Sequence, residues 1–123
     1  MIILYHIKRD TPAELRRDLT CGFDEKEHVA IVSAAFQAGH YEPVAVIESN
    51  LLDNAYRWTQ NGVDTNSWSQ EPVPKVTPLF PNYHLHNGKK YGRKSSEVGD
   101  VFELDGIRYA CASFGFEEMA KKE

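Results

Sequence analysis

Five histidines and two cysteines are the side chains of this 123-residue chain that could ligate a transition metal. His84 and His86 stand one residue apart, so their two imidazoles could share one ion. Three side chains elsewhere in the sequence could complete such a site: Cys21, His28 and His40. Structural zinc sites normally show closely spaced ligand pairs at both ends, and here only one end has a pair. We therefore expect no metal site, and interpret the pair as part of a solvated polar loop beside Asn87-Gly88.

The common catalytic motifs do not occur in this sequence. It has neither a G-x-S-x-G nucleophile elbow nor a papain-like cysteine context. It also lacks the glycine-rich loops that hold dinucleotides or nucleotide phosphates. The basic, glycine-flanked segment 88–92 lies in a proline-rich stretch, and the acids at 24, 25 and 27 suit a helix N-terminus. We expect a protein that is not an enzyme and holds no cofactor.

A basic, aromatic segment is the first candidate contact surface. From Lys75 to Lys94 the chain has five cations and no acid, so this segment carries +5 while the rest carries −9. The candidate contact residues within it are Tyr83, Lys89, Lys90, Tyr91, Arg93 and Lys94. Cations interleaved with rings suit phosphates and unpaired bases, and they also suit an acidic protein surface. Because nucleic-acid-binding domains are usually basic overall, we prefer a protein partner and keep RNA or single-stranded DNA as the alternative.

Three aromatic residues form a second candidate contact surface: Tyr56, Trp58 and Trp68. Tryptophan and tyrosine are enriched at the energetic centres of protein interfaces. Two tryptophans beside a loop can equally cover the edge of a hydrophobic core. An exposed tryptophan would indicate a partner surface.

Length and composition favour one ordinary globular domain over residues 1–123. Hydrophobic residues make up 41% and charged residues 26% of the chain, which is typical of folded proteins. The most apolar stretch, Val29 to Phe36, is far shorter than the roughly 20 residues of a membrane-spanning helix. No charged segment followed by a long apolar one begins the chain, so we expect a cytoplasmic protein. We expect Cys21 and Cys111 to be buried or half-buried thiols without a disulfide.

The first half of the sequence predicts alternating strands and helices. Residues 2–7 read as a strand, and Thr11 to Glu14 predicts a capped helix start, with the helix ending near 21–22. A second helix is predicted from Asp24 to Ala38, with Val29, Val32 and Phe36 on its apolar face. The stretch 41–48 reads as a strand in which Pro43 indicates an edge or a strand start.

The second half predicts a third helix, a long loop and a hairpin. The helix has Ser49 or Asn50 as its cap and ends near 60–62. Residues 63–92 contain four of the six prolines and predict a long loop. Asp105-Gly106 predicts a hairpin turn between strands 101–104 and 107–113, and 117–123 reads as a frayed tail. The resulting class is α+β: a small, mostly antiparallel sheet with two or three helices packed on one face and a long proline-rich loop.

One pattern resembles a known family. Residues 55–61 read A-Y-x-x-T-Q-N, Trp68 follows, and residues 94–101 read [RK]-S-x-x-V-G-D-V. Over about residues 44 to 116 the chain resembles a family of small uncharacterised proteins of phages and mobile elements. It departs from the family at Lys94, where arginine is usual, and at Glu97, which replaces a serine. The resemblance implies an origin and no activity.

The resulting hypothesis is a non-enzymatic binding protein of phage or mobile-element origin. It would bind and modulate a macromolecule of its bacterial host, such as an enzyme or a defence component. The alternative is RNA or single-stranded DNA binding through residues 83–94.

Overall fold

A computed structural model describes residues 1–21, 24–63 and 65–119. Their helices are α1 (Ala13–Thr20), α2 (Glu25–Gln37) and α3 (Leu52–Trp58). Their strands are β1 (Ile2–Ile7), β2 (Tyr41–Ile47), β3 (Val76–Pro78), β4 (Tyr83–His86), β5 (Lys89–Gly92), β6 (Val101–Leu104), β7 (Ile107–Ala112) and β8 (Gly115–Glu118). This order confirms the predicted α+β class.

Six of the strands form one antiparallel sheet. Its order is β3-β2-β1-β6-β7-β8, while β4 and β5 pair only with each other in a separate two-stranded sheet. The central strand β1 pairs with β2 on one side and with β6 on the other. The register between β1 and β2 shifts at Leu4/Tyr5, next to Pro43. Pro43 therefore lies beside a β-bulge near the start of β2, in a part of the strand with which β3 does not pair, and this fits the predicted edge or strand start.

The sheet has a hydrophobic core on each face, because successive side chains of a strand point to opposite sides. Ile2 and Leu4 of β1 belong to one core, together with Phe102 of β6. Ile7 of β1 belongs to the other core, together with Val101 of β6. Both faces of the central strands are therefore covered.

The helices α1 and α2 pack on one face of the sheet, and α3 packs on the opposite face. Two helices on one face agree with the predicted two or three. The predicted apolar face of α2 packs in the same core as Leu19 of α1. Ala55 of α3 is fully buried in the opposite core beside Trp68. α3 and the loop that carries Trp68 therefore cover a face of the sheet that would otherwise be exposed to solvent.

The helix caps differ in part from the predictions. The carboxylate of Asp24 accepts a hydrogen bond from the backbone N–H of Glu27 and caps α2 as expected. At α1 the capping residue is Pro12, so the predicted capping box of Thr11 does not form. At α3 the capping residue is Leu51, whose N–H donates to the hydroxyl of Ser49. The predicted end of α1 at residue 22 lies outside the described residues.

The predicted long loop 63–92 is wrong in its second half, which contains β3, β4 and β5. Pro78 ends β3, a three-residue strand at the sheet edge, where a missing N–H is tolerated. The predicted frayed tail is also wrong at its start, because Glu117 and Glu118 belong to β8 and Met119 is buried. The rest of that tail, 120–123, lies outside the described residues.

Two further sequence expectations concern the membrane and the cysteines. None of the helices in the described ranges is long and apolar enough to cross a bilayer. Cys21 and Cys111 are both free thiols, as expected. Cys111 is buried, whereas Cys21 is exposed, which corrects the prediction that both would be at least half-buried.

Candidate binding surface

The hairpin of β4 and β5 carries several of the candidate contact residues in exposed positions. Asn87 and Gly88 join its strands, and both have positive φ angles, of 51° and 78°. This is the backbone that a two-residue hairpin turn of the favoured hand requires, and Asn-Gly is its commonest sequence. Asn87-Gly88 is therefore a hairpin signal in the sequence that the prediction of a long loop over 63–92 overlooked.

One face of the hairpin is a group of stacked rings. His84 pairs with Tyr91 across the strands, and their rings are stacked with centroids 5.8 Å apart. His86 meets the same tyrosine edge-on at 6.3 Å. Partial burial, followed by the charges of Arg9 and Arg93, lowers the pKa of His84. At neutral pH this imidazole is therefore uncharged, and Tyr91, which is 45% exposed, presents its ring to solvent.

The other face combines an exposed aliphatic side chain with a positioned cation. Leu85 is 59% exposed and pairs across the strands with Lys90. The ammonium of Lys90 lies 4.6 Å from the centroid of the Tyr83 ring, in a cation–π contact. Lys89, at the start of β5, is exposed as well. Lys89 pairs with His86 and so lies on the ring face. The tip of the hairpin therefore exposes Leu85 with Lys90 on one face and Tyr91 with Lys89 on the other.

Exposed apolar surface continues into the segment that leads to the hairpin. Phe80 is 90% exposed, three residues before Tyr83. Large apolar side chains are seldom left in water in groups unless they meet a partner. Phe80, Leu85 and Tyr91 lie within twelve residues of the chain, so this region is the candidate binding surface.

The base of the hairpin is held by Arg93, which corrects its assignment to the contact surface. Its guanidinium donates to the carboxylate of Glu42 at 2.6 Å and to the backbone oxygen of Pro81 at 2.8 Å. Its backbone N–H donates to the hydroxyl of Ser69 at 2.7 Å. Arg93 is buried by these contacts and its charge is paired. It anchors the hairpin and is not offered to a partner.

Lys94 also lies apart from the surface that its neighbours form. Its ammonium is 2.8 Å from a carboxylate oxygen of buried Asp100 and 3.4 Å from a carboxylate oxygen of Glu97. Two cations of the basic segment are therefore neutralised by acids from other parts of the chain. The exposed cations of the hairpin are Lys89 and Lys90. The positive charge that the hairpin presents to a partner is therefore much smaller than the +5 counted for the segment 75–94.

The aromatic cluster predicted as a second contact surface is not one surface. Trp68 is fully buried, its indole N–H donates to the backbone oxygen of Lys94, and its ring meets His6 edge-on. A buried indole needs such a partner for its N–H, and the chain supplies it. Tyr56 and Trp58 are half-buried and pack against the same core. The prediction of Trp68 as a contact residue is therefore wrong.

The residues that carry the family resemblance bond to one another. Thr59 Oγ1 lies 2.7 Å from Ser96 Oγ, and the Gln60 side chain donates to the backbone oxygen of Ser96. The Asn61 side chain donates to the backbone oxygen of Arg93 and accepts from the N–H of Trp68. These contacts fasten the segment before β6 to the end of α3. The motif thus has a structural explanation that involves no partner.

Sequence reasoning missed a buried polar cluster around His6. Its Nε2 lies 3.4 Å from Ser96 Oγ and 3.6 Å from a carboxylate oxygen of Asp100. A signal for this position existed, because His6 alternates with Ile2 and Leu4 and so had to point into the same core. Burial, followed by the charges of Lys94 and Arg93, places the pKa of His6 well below its ordinary value. The imidazole is therefore neutral, and its contact with Asp100 is not an ion pair.

This cluster contains serine, histidine and aspartate without the arrangement of a catalytic triad. Such a triad has the serine and the carboxylate on opposite nitrogens of the imidazole. Here Ser96 and Asp100 approach the same nitrogen, and all three side chains are buried. The cluster instead ties β1 to the segment between β5 and β6.

The metal hypothesis rests on His84 and His86, which lie on one face of β4. Within the described ranges, no three histidine, cysteine or acidic side chains come together in a way that would hold an ion. The hairpin therefore brings together two imidazoles and a tyrosine ring, which is an arrangement for stacking.

Comparison with known proteins gives no relative: no family model matches the sequence, and searches of curated proteins and of solved structures give no significant match.

Proposed function

We propose that this protein is a non-enzymatic binding protein that engages a protein partner through the tip of the β4–β5 hairpin. The observation that carries the proposal is that each face of the hairpin exposes an apolar or aromatic side chain with a cation: Leu85 with Lys90 on one face and Tyr91 with Lys89 on the other. Apolar and aromatic anchors with charged neighbours are typical of protein interfaces. The partner surface that complements this tip has an apolar pocket with acidic groups around it.

A protein suits the hairpin better than a nucleic acid does because of its charge. Affinity for phosphates comes from several cations acting together. Arg93 and Lys94, which the sequence offered for that role, are paired with Glu42 and Asp100. The two remaining exposed lysines can flank an apolar contact and fix its orientation.

The family resemblance supports a partner in a bacterial host. On that basis the protein is of phage or mobile-element origin, acts in the host cytoplasm, and modulates a host enzyme or a defence component. The partner-binding residues of this proposal are Leu85, Lys89, Lys90 and Tyr91, with Phe80 beside them.

The experiment is affinity capture from bacterial lysate with three versions of the full chain. We expect the wild type to retain a protein in stoichiometric amount, and the double variant L85S/Y91S to lose it. The matched control is Phe114→Ser, which removes an apolar side chain that is 93% exposed in the turn between β7 and β8. This control should bind like the wild type. Failure to recover a stoichiometric partner, or capture by the double variant at the wild-type level, contradicts the proposal.

RNA or single-stranded DNA binding is the second candidate, favoured by the stacking of His84 on Tyr91 beside Lys89. Aromatic rings with flanking cations bind unpaired bases without sequence preference. In this case the variant K89Q/K90Q weakens binding to a single-stranded oligonucleotide. It also lowers the slope of the logarithm of the affinity against the logarithm of the salt concentration by about 0.7 per charge removed. Affinity that responds neither to this variant nor to salt contradicts this candidate.

A further inference from the structure

A cavity of about 260 Å³ opens between α3 and the β7–β8 turn, away from the hairpin. The eight residues that line it are Asp53, Tyr56, Val98, Cys111, Ala112, Ser113, Gly115 and Phe116. An apolar cavity of about 150 Å³ holds a benzene molecule, so this one has room for a ring with a short tail. The argument for an occupant comes from the chemistry of its walls.

The floor of the cavity is apolar and uncharged. Cys111 and Ala112 are both buried, and Val98 lies beside them in the lining. Burial, with the negative charge of Asp100 adding to it, raises the pKa of the Cys111 thiol to about 12. The thiol is therefore neutral at physiological pH and behaves as a small hydrophobic group.

Two aromatic rings form the side walls. Tyr56 and Phe116 meet edge to face with their centroids 6.5 Å apart. Phe116 is held in turn by Phe102, at 5.4 Å in the same kind of contact. These rings are fixed by packing, so they offer an existing surface to an apolar group or to a cation.

The electrostatic character of the cavity is negative. Asp53 is an exposed carboxylate in the lining, and the eight lining residues include no lysine, arginine or histidine. Burial raises the pKa of Tyr56, and the neighbouring Cys111, Asp100 and Glu97 raise it further, in that order.

We propose that this cavity binds a small organic ammonium ion, with its apolar body packed against the rings of Tyr56 and Phe116 and its ammonium group at Asp53. An anion would be repelled by Asp53, and a neutral molecule would lack the charge attraction that an ammonium group has to this carboxylate. The cavity shares no residue with the hairpin, so this proposal is tested independently of the proposed protein partner.

The experiment is an NMR titration of backbone amide shifts with three probes of similar size. They are 2-phenylethylamine as the cation, 2-phenylethanol as the neutral analogue and 3-phenylpropanoate as the anion. We expect the amine to shift amides of residues 53–56 and 111–116, with a dissociation constant about three- to tenfold lower than that of the alcohol. The anion should bind more weakly than either.

The variant Asp53→Asn tests the role of the carboxylate. It should reduce the affinity for the amine to that for the alcohol and leave the affinity for the alcohol unchanged. The control is Asp105→Asn, an exposed acid in the β6–β7 turn, which should leave both affinities as they are. The proposal is overturned if the alcohol binds as well as the amine, if D53N binds the amine normally, or if the amine shifts no amides in these two segments.

Discussion

Asp100 and His6 lie side by side in the core, and their pKa values depart from the ordinary ones in opposite directions. Burial raises the pKa of Asp100 to about 6, against the attraction of Lys94 and the hydrogen bond from the N–H of Glu97. Burial lowers the pKa of His6, and the nearby cations lower it further. These two shifts give the protein two opposing dependences of stability on pH.

The sign for Asp100 follows from proton binding. Between about pH 4 and about pH 6 the folded state keeps the proton that the unfolded state has released. Protonation of Asp100 therefore adds to the free energy of unfolding at low pH, and this contribution is lost as the pH rises through this window. A shift of about two pK units corresponds to about 3 kcal/mol. For His6 the unfolded state binds the proton below about pH 6.5, so its contribution is lost as the pH falls.

The variant Asp100→Asn isolates the first of these effects. Asparagine is neutral at every pH, and its side-chain oxygen can still accept from the N–H of Glu97. The assay is urea unfolding at intervals from about pH 4 to about pH 7. We expect the free energy of unfolding of the wild type minus that of D100N to fall by about 3 kcal/mol across this range. Contributions from the other carboxylates are common to both proteins and cancel in the difference.

Two further variants make the result specific. For His6→Gln the change should have the opposite sign: the free energy of unfolding of the wild type minus that of the variant should increase as the pH rises. Asp105→Asn, exposed in the β6–β7 turn, should give a difference that stays flat. The reasoning is refuted if the difference for D100N stays constant or rises with pH.

The remaining predictions concern the buried Trp68 and two glycines with positive φ, Gly99 and Gly39. Trp68→Phe keeps one buried aromatic ring but removes the pyrrole part of the indole with the N–H that donates to the backbone oxygen of Lys94, so urea unfolding should show a loss of at least about 1–3 kcal/mol. Gly99→Ala should destabilise strongly in the same assay, because Gly99 has a φ of +95° and a Cβ there would collide with the backbone carbonyl of Leu19. Gly39→Ala, with a φ of +88° and open space around it, should cost only the backbone strain of about 1–2 kcal/mol. Equal losses for the two glycine variants, or none for Trp68→Phe, would contradict these assignments.

Local signals in the sequence predicted much of the fold. The β-branched run of β1, the Asp24 cap of α2 and the Asp105-Gly106 turn each specify their element within a few residues. The hairpin of β4 and β5 was misassigned to a loop because the four prolines of 63–92 were taken to exclude strands and the Asn87-Gly88 turn signal was overlooked. Those prolines lie outside β4 and β5, and Pro78 lies on an edge strand, so none of them opposes the hairpin.

The contact surface was predictable only in part, since exposure depends on distant partners. Arg93 meets Glu42 across 51 positions of the chain, and a count of charges within one segment cannot contain such a pair. Trp68 is likewise buried by contacts with residues remote in sequence, His6 and Lys94. Lys89, Lys90 and Tyr91, which were candidate contact residues because they belong to the basic aromatic segment, are exposed in the structure.

The hairpin is anchored at Gly92 and Arg93, and this anchoring divides the chain into a part that tolerates substitution poorly and a part that tolerates it well. A Cβ on Gly92 would collide with the hydroxyl of Ser67, and Arg93 is fixed by three groups, so substitutions at this base disturb the scaffold. The tip from 84 to 91 pairs only with itself and can diverge in sequence or length while the six-stranded sheet stays the same. Homologous scaffolds with different tips would then recognise different targets, and a foreign turn could be grafted between residues 84 and 91.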